Sequence, residues 1–323
     1  METVDYHSRF GGMWIDRSDW EASLSERCRN RSVSGEEAAL VRRFVADGYI
    51  ILPQAAPLEA IDAFQAAIAR GFTQGNPALR YQAHGSQITR PLDGPVDRLG
   101  TRVVDSFVVL PEALDLFSSP RLLRFLTLIF DADPLLFQSL SFDQGSQQGL
   151  HQDTAYVVVN EPMQLAACWI ALQDVQPGSG ELVYLPGSHR YPDFDFGFGK
   201  KHWRGEPEDG PIHGAWSEWI VQQAAQRGIS RQSFLARKGD ILIWHADLAH
   251  GGAPVTDPTL TRRSLVGHFC PSTCRPNYFD TGSRRTTVRH RGKLAYASDH
   301  YDLSALSEPP RRHWLRRLLQ PTS

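Results

Sequence analysis

The chain is poor in cysteine, with four among 323 residues: Cys28, Cys168, Cys270 and Cys274. So sparse a set excludes a disulfide framework and points to a reducing compartment, the cytoplasm. The opening METVDYHSRFGG carries acidic residues and no apolar stretch, which is not the pattern of a signal peptide. Cys270 and Cys274 could face one metal ion, yet one pair supplies only half a zinc site. The ligand count favours two unrelated thiols flanking a turn. Long hydrophobic runs are also missing. The longest, LLRFLTLIF, falls well short of the roughly 20 residues that a membrane span requires. Charge of either sign is not in excess, with a net of −2, so nothing draws the chain generally to nucleic acid or an anionic membrane. What is present is an ordinary globular composition, long enough to bury a core without staples. The expected partner is a small molecule, and the expected state a monomer or homodimer.

Residues 1–33 have no clear periodicity and are expected to form an irregular leader. Ser34-Gly-Glu-Glu37 reads as a capping box, opening a helix to about Ala46 with Leu40 and Phe44 at helical spacing and Gly48 as its stop. YIILP predicts a short strand. A second helix places Leu58, Ile61, Phe64 and Ile68 on one face, and a third starts at Ser119-Pro120 and runs to about Phe130. Residues 34–130 are therefore expected to be mainly helical. After Asp131 the texture changes to short apolar or alternating runs: LLFQSLSF, AYVVV, LAACWIALQDV, ELVYLPG, SFLA, DILIWH and RSLVGHF, separated by Gly/Pro turns. Such punctuation predicts a mostly β fold with flanking helices, a jelly roll over 131–275 inside a single domain spanning 1–323.

Two segments fit neither pattern. Residues 191–219 hold Phe194, Phe196, Phe198, Trp203, Trp216 and Trp219. They read either as a lid-like insert that walls a pocket or as rings covering a sheet. Residues 276–323 read as a C-terminal extension. Its basic end, RRHWLRRLLQPTS, is either a short helix at a dimer contact or a plain solvated tail, the second being the simpler reading.

The chemistry gathers at GLHQDTAYVVV, where His151-Gln152-Asp153 precedes an apolar run. In extended chain, residues two apart face the same way, so His151 and Asp153 can reach one ion while Gln152 turns aside. GDILIWHADLAHGG offers a distant third ligand, His250, where a strand runs into a glycine-rich turn. Two imidazoles and a carboxylate on one face of an octahedron leave three adjacent positions open, enough for a bidentate keto acid together with dioxygen. Alone, the HxD pair is weak, and His151 could equally be a loop histidine. A keto acid also needs its far carboxylate held, and the planar fork of arginine suits that task. TRRSLVGHF supplies Arg262 and Arg263, of which only one can point inward from a strand. Arg262 is the choice here; a surface arginine pair is the bland alternative.

With these pieces in view, the sequence resembles the phytanoyl-CoA dioxygenase family of Fe(II)/2-oxoglutarate oxygenases. The likeness runs from about residue 35 to 270 and rests on EEAALVRRFVADGYIILP, HQD at 151–153, LPGSHR at 185–190, GDILIWHADLAHGG and RRSL at 262–265. The resemblance implies a double-stranded β-helix, cupin-like in shape, with N-terminal helices. It implies Fe(II) held by His151, Asp153 and His250, and 2-oxoglutarate held by Arg262, with Arg263 the second candidate because the loop after His250 is about one residue long for the family. It further implies consumption of dioxygen, release of succinate and carbon dioxide, and stimulation by ascorbate. Related halogenases replace the carboxylate with a small residue, so Asp153 favours hydroxylation; desaturation and epoxidation are variants.

Other residues stay open. Trp169 could face the iron pocket or be an ordinary core ring, and Gln138 could line the 2-oxoglutarate site or bond at a strand edge. His189 in LPGSHR is taken as structural, whereas Asp247 could orient His250 or be a loop carboxylate. Lys200, Lys201, His202 and Arg204 could meet an anion, which leans toward a ring-bearing substrate with an acidic group. Two competing functions remain: a cupin-like metal-dependent sugar isomerase or epimerase, and a non-catalytic binding member of the family.

Overall fold

The computed structural model describes residues 8–305 apart from 84, 99, 198 and 282–285. The leader is not wholly irregular, because α1 (Trp20–Arg29) forms within it. Only Leu24 of that helix is fully buried, so no apolar stripe marks it in the sequence. Ahead of it, Trp14 pins the leader to the core by donating its indole N–H to the Leu128 carbonyl at 2.8 Å.

Helix α2 (Gly35–Asp47) has the ends its sequence specifies. Ser34 Oγ accepts from the Glu37 amide at 3.2 Å, and the Ser34 amide donates to Glu37 Oε2 at 2.8 Å. Gly48 then turns left-handed at φ 78°, and a side chain there would also strike the His189 ring. Strand β1 (Tyr49–Leu52) and helix α3 (Leu58–Gln74) follow. Ile61, Phe64 and Ile68 are buried, but Leu58, in the first turn, lies 49% exposed and off the predicted face.

The region expected to be mainly helical also supplies three strands, β2 (Asn76–Ala83), β3 (Arg90–Leu92) and β4 (Thr101–Val104), before α4 (Pro111–Phe117) and α5 (Pro120–Phe130). These strands are short or polar and exist largely through pairing with one another, which local alternation does not reveal. Ser119 stands at the start of α5 without capping it; its hydroxyl donates instead to the Ala55 carbonyl at 2.7 Å.

The remaining elements are β5 (Pro134–Phe142), β6 (Ala166–Ala171), β7 (Leu182–Tyr184), α6 (Gly210–Gln226), β8 (Gln232–Phe234), β9 (Ile241–His245), β10 (His250–Gly252), β11 (Ser264–Pro271), α7 (Tyr278–Thr281), β12 (Arg289–Arg291) and β13 (Leu294–Tyr296). The larger sheet runs β1-β9-β6-β11-β5-β4-β2-β3, with β13 parallel to β5 and β12 beside β13. The smaller sheet is β10-β7-β8, and together they form the expected jelly roll with helices on one side. Alternation sorts each strand. Ala166, Cys168 and Ile170 of β6 join the helix-side core with Phe44 and Phe64, while Ala167, Trp169 and Ala171 face inward with Leu182 and Tyr184. Burial on both faces explains why this strand reads as one continuous apolar run.

Three segments depart from expectation. AYVVV is not a strand: Asp153–Ala155 is a single 3-10 turn, and Val159 alone makes a bridge, to Pro276. Its valines are apolar because Val157 and Val158 wall a cavity. The 191–219 stretch enters α6 at Gly210, and Tyr191, Phe196 and Trp216 are buried in their own apolar cluster; Phe198 lies outside the described residues. The C-terminal extension contributes β12 and β13 to the large sheet, whereas RRHWLRRLLQPTS lies outside the described residues. All four cysteines are free thiols, and no described helix is long and apolar enough to cross a membrane.

Candidate metal centre

Strand β9 ends at His245, so His250 is not its last residue but the first of β10, in the opposite sheet. There it meets His151 across an antiparallel bridge, each backbone amide donating to the other's carbonyl at 2.9 Å. The two rings lie 4.4 Å apart between centroids. Gly251 allows this approach, since a Cβ there would sit 2.7 Å from the Gln148 carbonyl oxygen. Asp153 is fixed two residues on by its amide, which donates to the Ala246 carbonyl at 2.8 Å.

The side chains converge. Asp153 Oδ1 lies 3.8 Å from His151 Nε2 and 3.6 Å from His250 Nε2. One donor atom from each of the three falls within 4.8 Å of the others, and all three residues are buried. Each imidazole is oriented by its far nitrogen: His151 Nδ1 meets the Gly149 carbonyl at 2.8 Å, and His250 Nδ1 meets the Leu248 carbonyl at 2.9 Å. A carbonyl only accepts, so Nδ1 carries the proton and Nε2 keeps its lone pair toward the cluster. Burial, with the charge of His250 next, pushes His151 down to about 4. Burial works against the Asp153 charge, but His250, His268 and His151 outweigh it and hold the carboxyl below the ordinary carboxylate range. The second oxygen, Oδ2, accepts the Trp244 indole N–H at 2.7 Å and lies 3.6 Å from His268 Nε2. One carboxylate oxygen and two imidazole nitrogens, with no thiolate, suit an ion such as ferrous iron that keeps several positions open.

Asp247 does not orient His250. Fully buried, it accepts the Thr154 hydroxyl at 2.5 Å, pairs with Lys201 at 2.6 Å and, through its carbonyl, accepts the Gln152 side chain at 2.9 Å. It thereby clamps both neighbours of Asp153. Lys201, which also pairs with Asp193 at 3.0 Å, is accordingly committed inside the fold and does not face an incoming anion. Arg204 is likewise paired, with Asp209 at 2.7 Å. His189 is structural, its Nε2 meeting the Val45 carbonyl at 3.1 Å.

The two arginines part company. Arg262 is 3% exposed, its guanidinium 5.6 Å from the Trp169 ring centroid, and its Nε has no hydrogen-bond partner among the described residues. Burial brings it down to about 10, still a cation at neutral pH. Arg263 turns to the opposite side and donates to Gln65 Oε1 of α3 at 3.2 Å. Arg262, Trp169 and Gln138 line one chamber with the three clustered side chains, about 850 Å³ in volume. Tyr156, Trp203 and His213 form another part of its wall, with the Tyr156 hydroxyl 2.7 Å from His213 Nε2. Within the 191–219 stretch, Trp203 and His213 wall the chamber, while Phe196 and Trp216 fill a cluster of their own rather than covering a sheet.

Sequence reasoning missed His268 and Trp244. Strand parity carried the signal for the first, since residues 264, 266 and 268 alternate onto one face. His268 and Trp244 flank Ala167 in one row across β11, β6 and β9.

A jelly roll enclosing a two-histidine, one-carboxylate cluster defines a cupin-like protein with a site able to hold one metal ion. More narrowly, residues 44–264 match phytanoyl-CoA dioxygenase, and the chain belongs to that family. Human peroxisomal phytanoyl-CoA dioxygenase is 24% identical over 207 residues, 58% of this chain and 53% of the relative. The bovine enzyme is 25% identical over 180 residues, 54% of this chain and 47% of the relative. The chain therefore spans about half the length of the curated relatives it matches. Among solved structures, SnoN, a non-heme alpha ketoglutarate dependent epimerase from nogalamycin biosynthesis, matches with a TM-score of 0.56 at 20% identity, covering 80% of this chain and 98% of that one. EctD from S. alaskensis matches with a TM-score of 0.52 at 19% identity, covering 76% and 79%. These two likenesses are of fold.

Proposed function

We propose that this protein is a mononuclear non-haem Fe(II)/2-oxoglutarate-dependent dioxygenase that oxidises an unactivated C–H bond of a small organic molecule. The observation that carries the reading is a buried arginine, with no carboxylate in ion-pair contact among the described residues, in the same chamber as three converging donor atoms. His151 Nε2, Asp153 Oδ1 and His250 Nε2 would hold the ion. When bound, ferrous iron with 2-oxoglutarate and dioxygen supplies the oxidising power, the keto acid leaving as succinate and carbon dioxide.

The protein's own part is position and dryness. Arg262 receives the distal carboxylate of the keto acid in a charge-assisted pair, stacked on Trp169, which closes that end to water. Trp244 and His268 engage Oδ2 of Asp153, reserving Oδ1 for the ion. Tyr156 and Trp203 give the substrate an aromatic wall. A sugar isomerase would have no use for Arg262, and a non-catalytic protein none for either feature. Asp153 supports hydroxylation over halogenation, and the free thiols support a cytoplasmic setting.

Apo-protein loaded with Fe(II) should convert 2-oxoglutarate to succinate slowly even without substrate, and ascorbate should prolong the activity. If no succinate forms with fresh iron and ascorbate, the proposal fails. Asp153→Ala and His250→Ala should each weaken Fe(II) binding by on the order of 100-fold or more.

A further inference from the structure

Resting on that reading of the chamber, we infer that the substrate is an uncharged, ring-bearing molecule that presents a hydroxyl group to Tyr156, and that His213 is the positioning residue that aims the phenol. The backbone ties Tyr156 to the metal cluster. Its amide donates to the Asp153 carbonyl at 2.8 Å, closing the turn that carries the carboxylate, and its ring lies 5.7 Å from the His151 ring between centroids. The residue is 39% exposed and lines the chamber. A group held by Tyr156 is therefore held beside the ion.

This side of the cluster is clear of the co-substrate. Arg262 precedes strand β11, whereas the chain after Tyr156 runs past that strand's other end. There Val159 bridges Pro276, and the Asn277 amide donates to the Val158 carbonyl at 3.0 Å. His268, 3.6 Å from Asp153 Oδ2, stands on β11 between the two. A keto acid reaching from the ion to Arg262 leaves the Tyr156 side open. Val157, Val158 and Trp203 line that side with apolar surface suited to a ring.

The polar handle in this wall is neutral. The Tyr156 hydroxyl lies 2.7 Å from His213 Nε2, and burial lowers His213 from the ordinary histidine value, so the imidazole is uncharged and accepts. The phenol thus commits its one hydrogen to His213, and its oxygen is left as an acceptor. The Gln148 side chain stands beside that oxygen as one donor, and a lone pair remains for a second. A substrate hydroxyl supplies that donor without bringing charge. An ionic group finds no match in the charges of the neighbouring insert, because Lys201 is committed to Asp247 and Asp193, and Arg204 to Asp209. The wall is fastened around the same bond. Trp203 donates its amide to the Ala155 carbonyl at 3.0 Å, its ring lies 4.6 Å from that of His213, and α6 carries His213 in its first turn.

The test is calorimetric titration of full-length protein with Fe(II) and 2-oxoglutarate under anaerobic conditions, using probes built on one ring system: 2-naphthalenemethanol, its methyl ether, 2-naphthylmethylamine and 2-naphthoate. The alcohol should bind roughly fivefold more tightly than the ether, the margin of one neutral hydrogen bond, and more tightly than either ion. Tyr156→Phe keeps the ring and should abolish the preference for alcohol over ether. His213→Ala should weaken that preference, and His213→Gln, whose amide oxygen still accepts from the phenol, should restore part of it. A merely structural role for His213 would not be rescued in this way. Wild-type protein that binds alcohol and ether equally, binds an ion most tightly or binds none of the probes would overturn the inference. So would a preference that survives in Tyr156→Phe. Absence of succinate from wild-type protein given Fe(II), 2-oxoglutarate and dioxygen would instead sink the oxygenase reading itself.

Discussion

The Trp244 indole N–H donates to Asp153 Oδ2 at 2.7 Å, from a strand of the larger sheet to the loop residue at the heart of the cluster. That bond decides which carboxylate oxygen is free. Replacing Trp244 with Phe keeps a ring in place but leaves Oδ2 without its indole donor, so the carboxylate can rotate. Fe(II) affinity should fall by about tenfold, the scale of a lost partner behind a metal ligand, with little change in melting temperature. Calorimetric titration of iron into apo-protein reads this directly, and unchanged affinity would remove Trp244 from the site.

The two arginines make a matched pair. Arg262→Ala removes the buried fork that faces the chamber, and the KM for 2-oxoglutarate should rise on the order of 100-fold. Arg263→Ala loses one 3.2 Å bond to Gln65 on the other side of the sheet and should leave that KM within about twofold. Succinate formation against keto-acid concentration distinguishes them; the reverse ranking would transfer the role to Arg263.

Lys201 is a buried cation serving two carboxylates. Burial alone would lower its pKa, but Asp247 and Asp193 outweigh that and hold it above the usual lysine value. Lys201→Met would strand Asp247 without its counter-charge beneath the turn that carries Asp153. Breaking such a pair costs on the order of 3–5 kcal/mol, and urea unfolding should report a loss of that size. Iron affinity should fall as well, because Asp247 positions Thr154 and Gln152. A variant as stable as the parent would show the network to be idle.

Asp105 gives the fold a pH dependence of its own. Burial drives its carboxyl up to about 7, against the bonds from Ser298 and Ser139. A folded pKa above the unfolded value means stability that is complete below about pH 4 and lost as pH rises through about 7. The contribution is a few kcal/mol at most, since each tenfold change in proton affinity is worth about 1.4 kcal/mol. Asp105→Asn, which keeps the size and an acceptor, should flatten stability between pH 4 and 7 in chemical denaturation. A slope unchanged from the parent would mean that Asp105 is not the group responsible.

Much of the architecture was legible because it is local. The Ser34–Glu37 box and Gly48 bound a helix by chemistry within five residues on either side. Buried strands such as β6 appear as unbroken apolar runs. Helix α1 and strands β2–β4 were not legible, since one buried residue in ten makes no stripe, and since short or polar strands are defined by pairing that local pattern does not show. AYVVV misled for a related reason: apolar residues also wall cavities, and composition does not distinguish a wall from a strand.

For the site, the sequence by itself determined the donor types: His151 and Asp153 two residues apart, a second histidine at 250 and an arginine pair beyond it. Only the tertiary structure decided that His250 opens a strand in the smaller sheet rather than closing one in the larger. It also decided that Arg262 and not Arg263 enters the chamber, and that Asp247 holds Thr154 and Lys201 instead of His250. The reason is physical. Residue identity fixes what a side chain can donate or accept, but which face it presents depends on sheet register and on loops that bring residues some hundred positions apart within a hydrogen bond's length.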